Sequence, residues 1–321
     1  MKFAVAGFCA LSCCAAGSDY RPEARVNGTL RVWGSAQMFG LVERWERGFA
    51  RYHPDVRFEN HLYGAVSAIA GLYTGVAELV VSREIWPIEL LAFQQVRGYS
   101  PVSFDVATGS FDVPTKSSSL DIFVHRDNPV AQLGFTQLAG IFGASGAVRT
   151  WGDLGLTGAW RDRPLHLYGY RPDNAGSQLF ASLVFGRNSL WNCRYQGFEN
   201  ATTTSGKRID AGQQALDALT RDPLGIALSN IHYATRQVKA VAIARADSGP
   251  WILPSRESVR SRTYPLTREV YIFVDRTPNA PLNARCREFV KYVLSRNGQA
   301  DVADEGDYLA LADGAVPKAT R

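Results

Sequence analysis

Between residues 29 and 98 short apolar runs alternate with amphipathic stretches, and this alternation constrains the fold more than any other feature of the chain. Residues 29–34 read as a strand. Residues 39–52 read as a helix, with Leu41, Trp45, Phe49 and Tyr52 on one face, Glu43, Arg44, Glu46, Arg47 and Arg51 on the other, and Pro54 as its stop. Residues 56–62 and 78–81 read as further strands, and 67–73 and 87–96 as further helices, the last closed by Gly98. A β-α-β-α-β order predicts a mostly parallel sheet with helices on both faces. The pattern resumes with strands at 120–124, 165–170, 226–229, 238–243 and 270–274, and helices at 130–142, 178–185, 211–220 and 285–296. Residues 247–262 read as a loop. Gly298 is placed to cap the last helix, whose apolar stripe includes Cys286, and Asp301, Asp304, Glu305 and Asp307 read as a solvated acidic turn.

At 321 residues one core would be large, so two lobes are expected. Lys and Arg number 35 against 30 Asp and Glu, a net charge of +5. The arginines are scattered, so nucleic acid is not indicated as a partner. No run of about 18 apolar residues occurs, which excludes a multi-span membrane protein. At the start, Lys2 precedes the apolar run Phe3 to Leu11, and small residues follow. Residues 1–16 therefore read as a secretory signal peptide, placing the mature chain in the periplasm or another extracytoplasmic space. Leu11-Ser12-Cys13-Cys14 is an imperfect lipobox. Lipid anchoring at Cys13 or Cys14 and ordinary cleavage after Ala15 or Ala16 both stay open. Cys193 and Cys286 remain; two cysteines so far apart make no disulfide framework, and Cys286 reads as a buried thiol.

The five histidines are never closer than eight residues, so no local metal pair exists, and no cofactor is expected. The G-x-S-x-G, G-x-G-x-x-G and Walker patterns are absent, so an enzyme is not expected. What stands out is small polar residues at three strand ends that lead toward helices. They are Gly34-Ser35-Ala36-Gln37, then Ser82-Arg83, then Arg171-Pro172-Asp173-Asn174-Ala175-Gly176-Ser177. In open parallel sheets ligands bind beyond the carboxyl ends of strands, where helix N-termini offer free N–H groups. Serine hydroxyls add donors, arginine adds a planar fork, and glycine permits close backbone approach. The combination suits an oxyanion.

At these residues the sequence resembles the phosphate-binding proteins of bacterial phosphate ABC transporters, the PstS-like group of periplasmic solute-binding proteins. Gly34-Ser35 resembles the family's G-S-S-T loop, Glu78 to Arg83 its D-I-x-x-x-S-R segment, and Arg171 to Phe180 its R-x-x-x-S-G-T-x-x-x-F segment. Trp151-Gly152-Asp153-Leu154, Gly225-Ile226-Ala227, Tyr264-Pro265-Leu266-Thr267-Arg268 and Gly298-Gln299 resemble further family segments in the same order.

The resemblance implies a type II periplasmic-binding-protein fold, α/β and two-lobed, each lobe a mostly parallel sheet flanked by helices. Lobe one would take 27–124 and 264–321, and lobe two 125–263. It also implies a monomer that captures inorganic phosphate or a similar oxyanion in the cleft between the lobes and delivers it to an ABC permease. The matching ligand positions are Ser35, Gln37, Ser82, Arg83, Arg171, Gly176 and Ser177, and Ser67 alone survives of a Gly-Ser-Gly stretch. Ala36, Gln37, Ala175 and Ser177 replace family Ser, Thr, Ser and Thr, and Arg83 stands where some members have Asp. A site without that acceptor is expected to reject sulfate less well. A binder of another oxyanion, or a binding-impaired sensor or interaction protein on the same fold, is the alternative.

Overall fold

The computed structural model describes residues 17–116, 119–186 and 190–312; the expected leader at 1–16, with Cys13 and Cys14, lies outside them. The chain divides into two compact α/β units, one built from residues up to Ala107 and from Glu269 onward, the other from Thr108–Arg268. Among the described residues no helix is long and apolar enough to cross a membrane.

The first unit opens with strand β1 (Gly28–Gly34), helix α1 (Phe39–Ala50), β2 (Val56–His61), α2 (Ala65–Thr74), β3 (Leu79–Ser82), α3 (Pro87–Arg97) and β4 (Val102–Thr108). The second unit follows with β5 (Asp121–His125), β6 (Gln132–Gly134), α4 (Phe135–Phe142), β7 (His166–Tyr170), α5 (Ala175–Val184), β8 (Tyr195–Phe198), β9 (Ala201–Thr202) and β10 (Arg208–Ile209). It ends with α6 (Ala211–Thr220), β11 (Gly225–Ser229), β12 (Val238–Ala240), β13 (Ala242–Ala244) and α7 (Arg256–Arg260). The chain then completes the first unit with β14 (Glu269–Val274), α8 (Ala284–Leu294) and α9 (Arg296–Glu305).

The first unit's sheet runs β2-β1-β3-β14-β4, with β2, β1 and β3 parallel and β14 antiparallel to β3. Alternate residues of each strand serve opposite faces. Leu30, Val32, Leu79 and Val81 join Leu41, Trp45, Phe49 and Phe289 in one core cluster, while Val80 and Phe273 join Leu72 and Phe93 in another. Each such large side chain contributes about 1.5–3 kcal/mol by leaving water. In the second unit the sheet runs β12-β5-β11-β7-β8, with β11, β7 and β8 parallel and β5 antiparallel to both its neighbours.

Several expectations are corrected. The strand expected at 120–124 is β5, an inner strand of the second unit's sheet, so the expected boundaries at 124/125 and 263/264 fall inside that unit. The helix expected at 130–142 begins only at Phe135, because residues 132–134 pair with β13 as β6. The single strand expected at 238–243 splits between two sheets, with Val241 N–H donating to Ile122 O at 2.8 Å between the two pieces. The loop at 247–262 contains α7, capped by Ser255. Gly298 does not end the preceding helix but sits in the first turn of α9, where its N–H donates to Ser295 Oγ at 3.3 Å. The expected acidic turn is mostly α9 itself, and Asp301 is buried against the Tyr292 hydroxyl at 2.5 Å. Cys193 and Cys286 are free thiols, the first exposed and the second buried, and burial pushes the Cys286 thiol up to about 12.

The segment before β1 is fixed by a buried carboxylate. Glu288 on α8 accepts the Tyr20 hydroxyl at 2.7 Å and the backbone N–H groups of Glu23 at 3.3 Å and Ala24 at 3.2 Å. His53 Nε2 lies 2.7 Å from the same hydroxyl. Since that hydroxyl gives its proton to Glu288, His53 donates through Nε2, which in the neutral ring leaves Nδ1 without a proton. Burial lowers the His53 pKa, which favours this neutral form. Tyr20→Phe is expected to destabilise the chain by about 1–3 kcal/mol, because a buried carboxylate loses a donor. Urea unfolding checks this, and a variant as stable as wild type would show that the contact is not a fastener.

Candidate functional site

Two places carry the residues singled out from the sequence, one in each unit. In the first unit, β1, β2 and β3 run parallel, so their carboxyl ends lie along one edge and each turns there toward a helix. Ser35 N–H donates to Val81 O at 3.2 Å, and Gly64 N–H donates to Gly34 O at 3.1 Å, which laces the three turns together. Gly34 has to be glycine: a Cβ there would lie 2.2 Å from Val81 O and 2.9 Å from Leu62 Cδ2. Ser35 caps a short 3-10 turn over Ala36–Met38, its Oγ accepting Gln37 N–H at 3.4 Å. Gln37 is anchored through its carbonyl, which accepts the Tyr308 hydroxyl at 3.0 Å. Ser67, in the first turns of α2, donates to Gly64 O at 3.1 Å.

Ser82, the last residue of β3, and Arg83 after it are both buried. Arg83 is gripped by Glu89 of α3, with Nη2 to Oε1 at 3.2 Å and Nη1 to Oε2 at 3.4 Å. Nη1 also donates to the Glu84 carbonyl. The guanidinium stacks 4.0 Å over the Trp86 ring. Glu89 in turn accepts the Trp86 N–H at 2.6 Å. Sequence reasoning missed Glu89 and Trp86. The signal for them was a helix-start pattern, Pro87 at the first helical position with an acid two residues later.

In the second unit β7 runs into the turn Arg171 to Asn174 and then α5. Asn174 caps α5 by accepting the Gly176 N–H at 2.8 Å. Ser177 is fully buried, its Oγ donating to Tyr170 O at 2.9 Å, and the Tyr195 hydroxyl donates to the same carbonyl at 2.7 Å. Arg171 is half-exposed and meets two carboxylates. Asp173 takes Nε at 3.2 Å and Nη2 at 3.3 Å, and Glu199 takes Nη1 at 3.1 Å. Asp173 first, then Glu199, raises the pKa of the guanidinium. Thus the expected positions Ser35, Gln37, Ser82 and Arg83 gather on one sheet edge. Arg171, Gly176 and Ser177 gather at one strand-to-helix junction.

Beside that junction lies Asp121, fully buried at the start of β5. It accepts Ile231 N–H at 2.8 Å and the Ser119 hydroxyl at 3.3 Å, and burial raises its carboxyl to about 7. The Tyr264 hydroxyl, from the Tyr-Pro-Leu-Thr-Arg segment, donates to Leu120 O at 3.0 Å. Leu120 reaches the Arg171–Ser177 turn: its Cδ2 lies 3.0 Å from where a Cβ on Gly176 would stand.

Hydroxyls, backbone N–H groups and guanidinium at the carboxyl ends of parallel strands make a donor-rich setting suited to an oxyanion. Residues 20–297 match the family described as the PBP superfamily domain, and the chain belongs to that superfamily. Within it the chain is a PstS-like member. It is 32% identical over 332 residues to the phosphate-binding protein PstS of Pseudomonas aeruginosa, a match covering all of this chain and 96% of the relative. Among solved structures, PstS from Borrelia burgdorferi superposes with a TM-score of 0.60 at 13% identity, covering 89% of this chain and 100% of that one. An ABC-type phosphate transport receptor from Vibrio cholerae superposes with a TM-score of 0.57 at 19% identity, covering 87% and 99%. At these identities the superpositions speak for the fold alone.

Proposed function

We propose that this chain captures inorganic phosphate, or a closely similar oxyanion, outside the cytoplasm and delivers it to an ABC permease, acting by binding and not by catalysis. The observation that carries the reading is 32% identity to PstS over the whole chain, combined with retention of Ser35, Ser82, Arg83, Arg171 and Gly176 at the strand ends. In this reading Ser35, Gln37, Ser82 and Arg83 of the first unit and Arg171, Gly176 and Ser177 of the second are the ligand set. Their N–H, O–H and guanidinium groups replace the anion's water shell, the Gly176 N–H and the Ser177 hydroxyl exchanging Asn174 Oδ1 and Tyr170 O for the anion. Each charge-assisted bond contributes about 1.5–3 kcal/mol. Export rests on the leader at 1–16, and lipid anchoring at Cys13 or Cys14 belongs to the same proposal.

One feature favours a second reading, a binding-impaired sensor or interaction protein. Ala36 and Ala175 lack hydroxyls, and Arg171 is engaged by two of the protein's own carboxylates. Thermal unfolding in a panel of phosphate, sulfate, molybdate and small carboxylates separates the two. A true ligand at about 100 times its Kd is expected to add about 2.7 kcal/mol of stability. Phosphate is expected to give the largest shift. No shift with any anion would overturn capture and leave the interaction reading.

A further inference from the structure

Arg83 is a buried cation beside the N-terminus of α3. That placement is unfavourable twice: the charge is taken out of water, and it faces the partially positive end of a helix. Glu89, equally buried, answers both. One carboxylate oxygen takes Nη2, and the other takes Nη1 together with the Trp86 N–H that starts the helix. The Trp86 ring covers one face of the guanidinium. These contacts use both N–H groups of Nη1 and one of Nη2. The Nε–H and the second Nη2–H meet no acceptor among the described residues. A guanidinium carries five N–H donors in a fixed fork, so two remain for a ligand. Ser82 is the preceding residue, and Ser35 is tied to Val81, so these donors belong to the same sheet edge as the first unit's other anion-binding positions.

We propose that Glu89 is a positioning residue that sets the charge preference of the anion site. By gripping Arg83 and cancelling its charge, it lets the guanidinium donate hydrogen bonds to an oxyanion without adding net positive charge at this corner. A doubly charged anion therefore gains less over a singly charged one than the presence of an arginine suggests. The inference rests on the phosphate-capture reading.

A charge cycle tests it: wild type, Glu89→Gln, Arg83→Gln and the double variant, each titrated calorimetrically with inorganic phosphate on either side of its second ionisation and with sulfate. The quantity read is the ratio of dianion to monoanion affinity. Glu89→Gln adds one net positive charge and is expected to raise that ratio about tenfold, the scale of one charge at ~7 Å in an effective dielectric of about 20 after partial screening. Arg83→Gln leaves Glu89 uncompensated and is expected to move the ratio the opposite way. The double variant is neutral again, so it should bind more weakly overall yet return to the wild-type ratio. A merely structural pair would weaken mono- and dianion alike. Unmoved ratios in the single variants overturn the inference. Should those variants fail to fold, a shifted ratio in the double variant overturns it, and a wild-type ratio there supports it. Wild type that binds neither anion overturns the capture reading and this inference with it, whereas wild-type binding with unmoved ratios overturns the inference alone.

Discussion

Arg171→Ala is expected to abolish tight phosphate binding while the chain stays folded. The guanidinium is half-exposed, and its ion-pair partners among the described residues are groups that water can serve equally well, Asp173 in its own turn and the exposed Glu199. Exposed ion pairs of this kind add little to folding stability, so the unfolding midpoint is expected to stay at the wild-type value. Binding is a different matter. A planar fork aimed at an oxyanion supplies charge and directional donors together, and no neighbouring cation in the turn Arg171 to Asn174 can replace it. The loss is expected to reach about a hundredfold or more in Kd, as for the removal of a charge-assisted pair. Arg171→Lys keeps the charge but not the fork, and is expected to recover only part of the affinity. Calorimetric titration with phosphate measures all three proteins. Equal Kd values for wild type and Arg171→Ala, with both folded, would remove Arg171 from the site.

The sheet-and-helix order was legible because amphipathic spacing is local. Leu41, Trp45 and Phe49 announce a helix face wherever the helix packs, and all three are buried in one cluster. Strand β4 was not read from the sequence, because Ser103 and Asp105, polar yet buried, break up its apolar run. What the sequence could not give was strand partnership. Residues 120–124 read as an apolar strand, but nothing in such a run says that it lies between β11 and β12 rather than in the first unit's sheet. The same limit holds at the site. Ser35, Ser82 and Ser177 were visible as small polar residues at strand ends, since turn chemistry is also local. Their surroundings were not. Glu199 meets Arg171 from 28 residues away, and Tyr195 meets the Tyr170 carbonyl from 25 away. The burial that raises Asp121 comes from tertiary packing. Glu89 is the intermediate case, since its helix-start signal was present but its grip on Arg83 depends on how the turn folds back.

Asp121→Asn is expected to remove a large part of the chain's pH dependence of stability. In the folded chain burial raises the carboxyl from 3.8 to about 7, against the partial relief of the Ile231 and Ser119 hydrogen bonds. The sign follows from proton counting. Between about pH 4 and pH 7 the folded chain retains a proton that the unfolded chain has released, so stability falls as pH rises. The contribution is greatest below the unfolded pKa and is lost as pH rises through the folded one. The slope reaches about 1.4 kcal/mol per pH unit in mid-window, summing to the order of 2–4 kcal/mol across it. Asparagine resembles the protonated acid in shape, keeps an oxygen for Ile231 N–H, and presents an N–H toward Ser119 Oγ, but it cannot ionise. The variant should therefore match wild type near pH 4 and exceed it near pH 8. Urea unfolding across this range measures the slope. Parallel curves for the two proteins would mean that Asp121 is ionised in the folded chain throughout. The effect bears on the proposed function because Asp121 adjoins Leu120, which packs against Gly176 at the start of α5. A carboxyl that gains its charge near neutral pH places that charge behind a loop proposed to hold an anion. Phosphate affinity in wild type is then expected to weaken as pH rises toward 8, relative to Asp121→Asn, and the two titrations measured side by side separate this charge from the ionisation of phosphate itself.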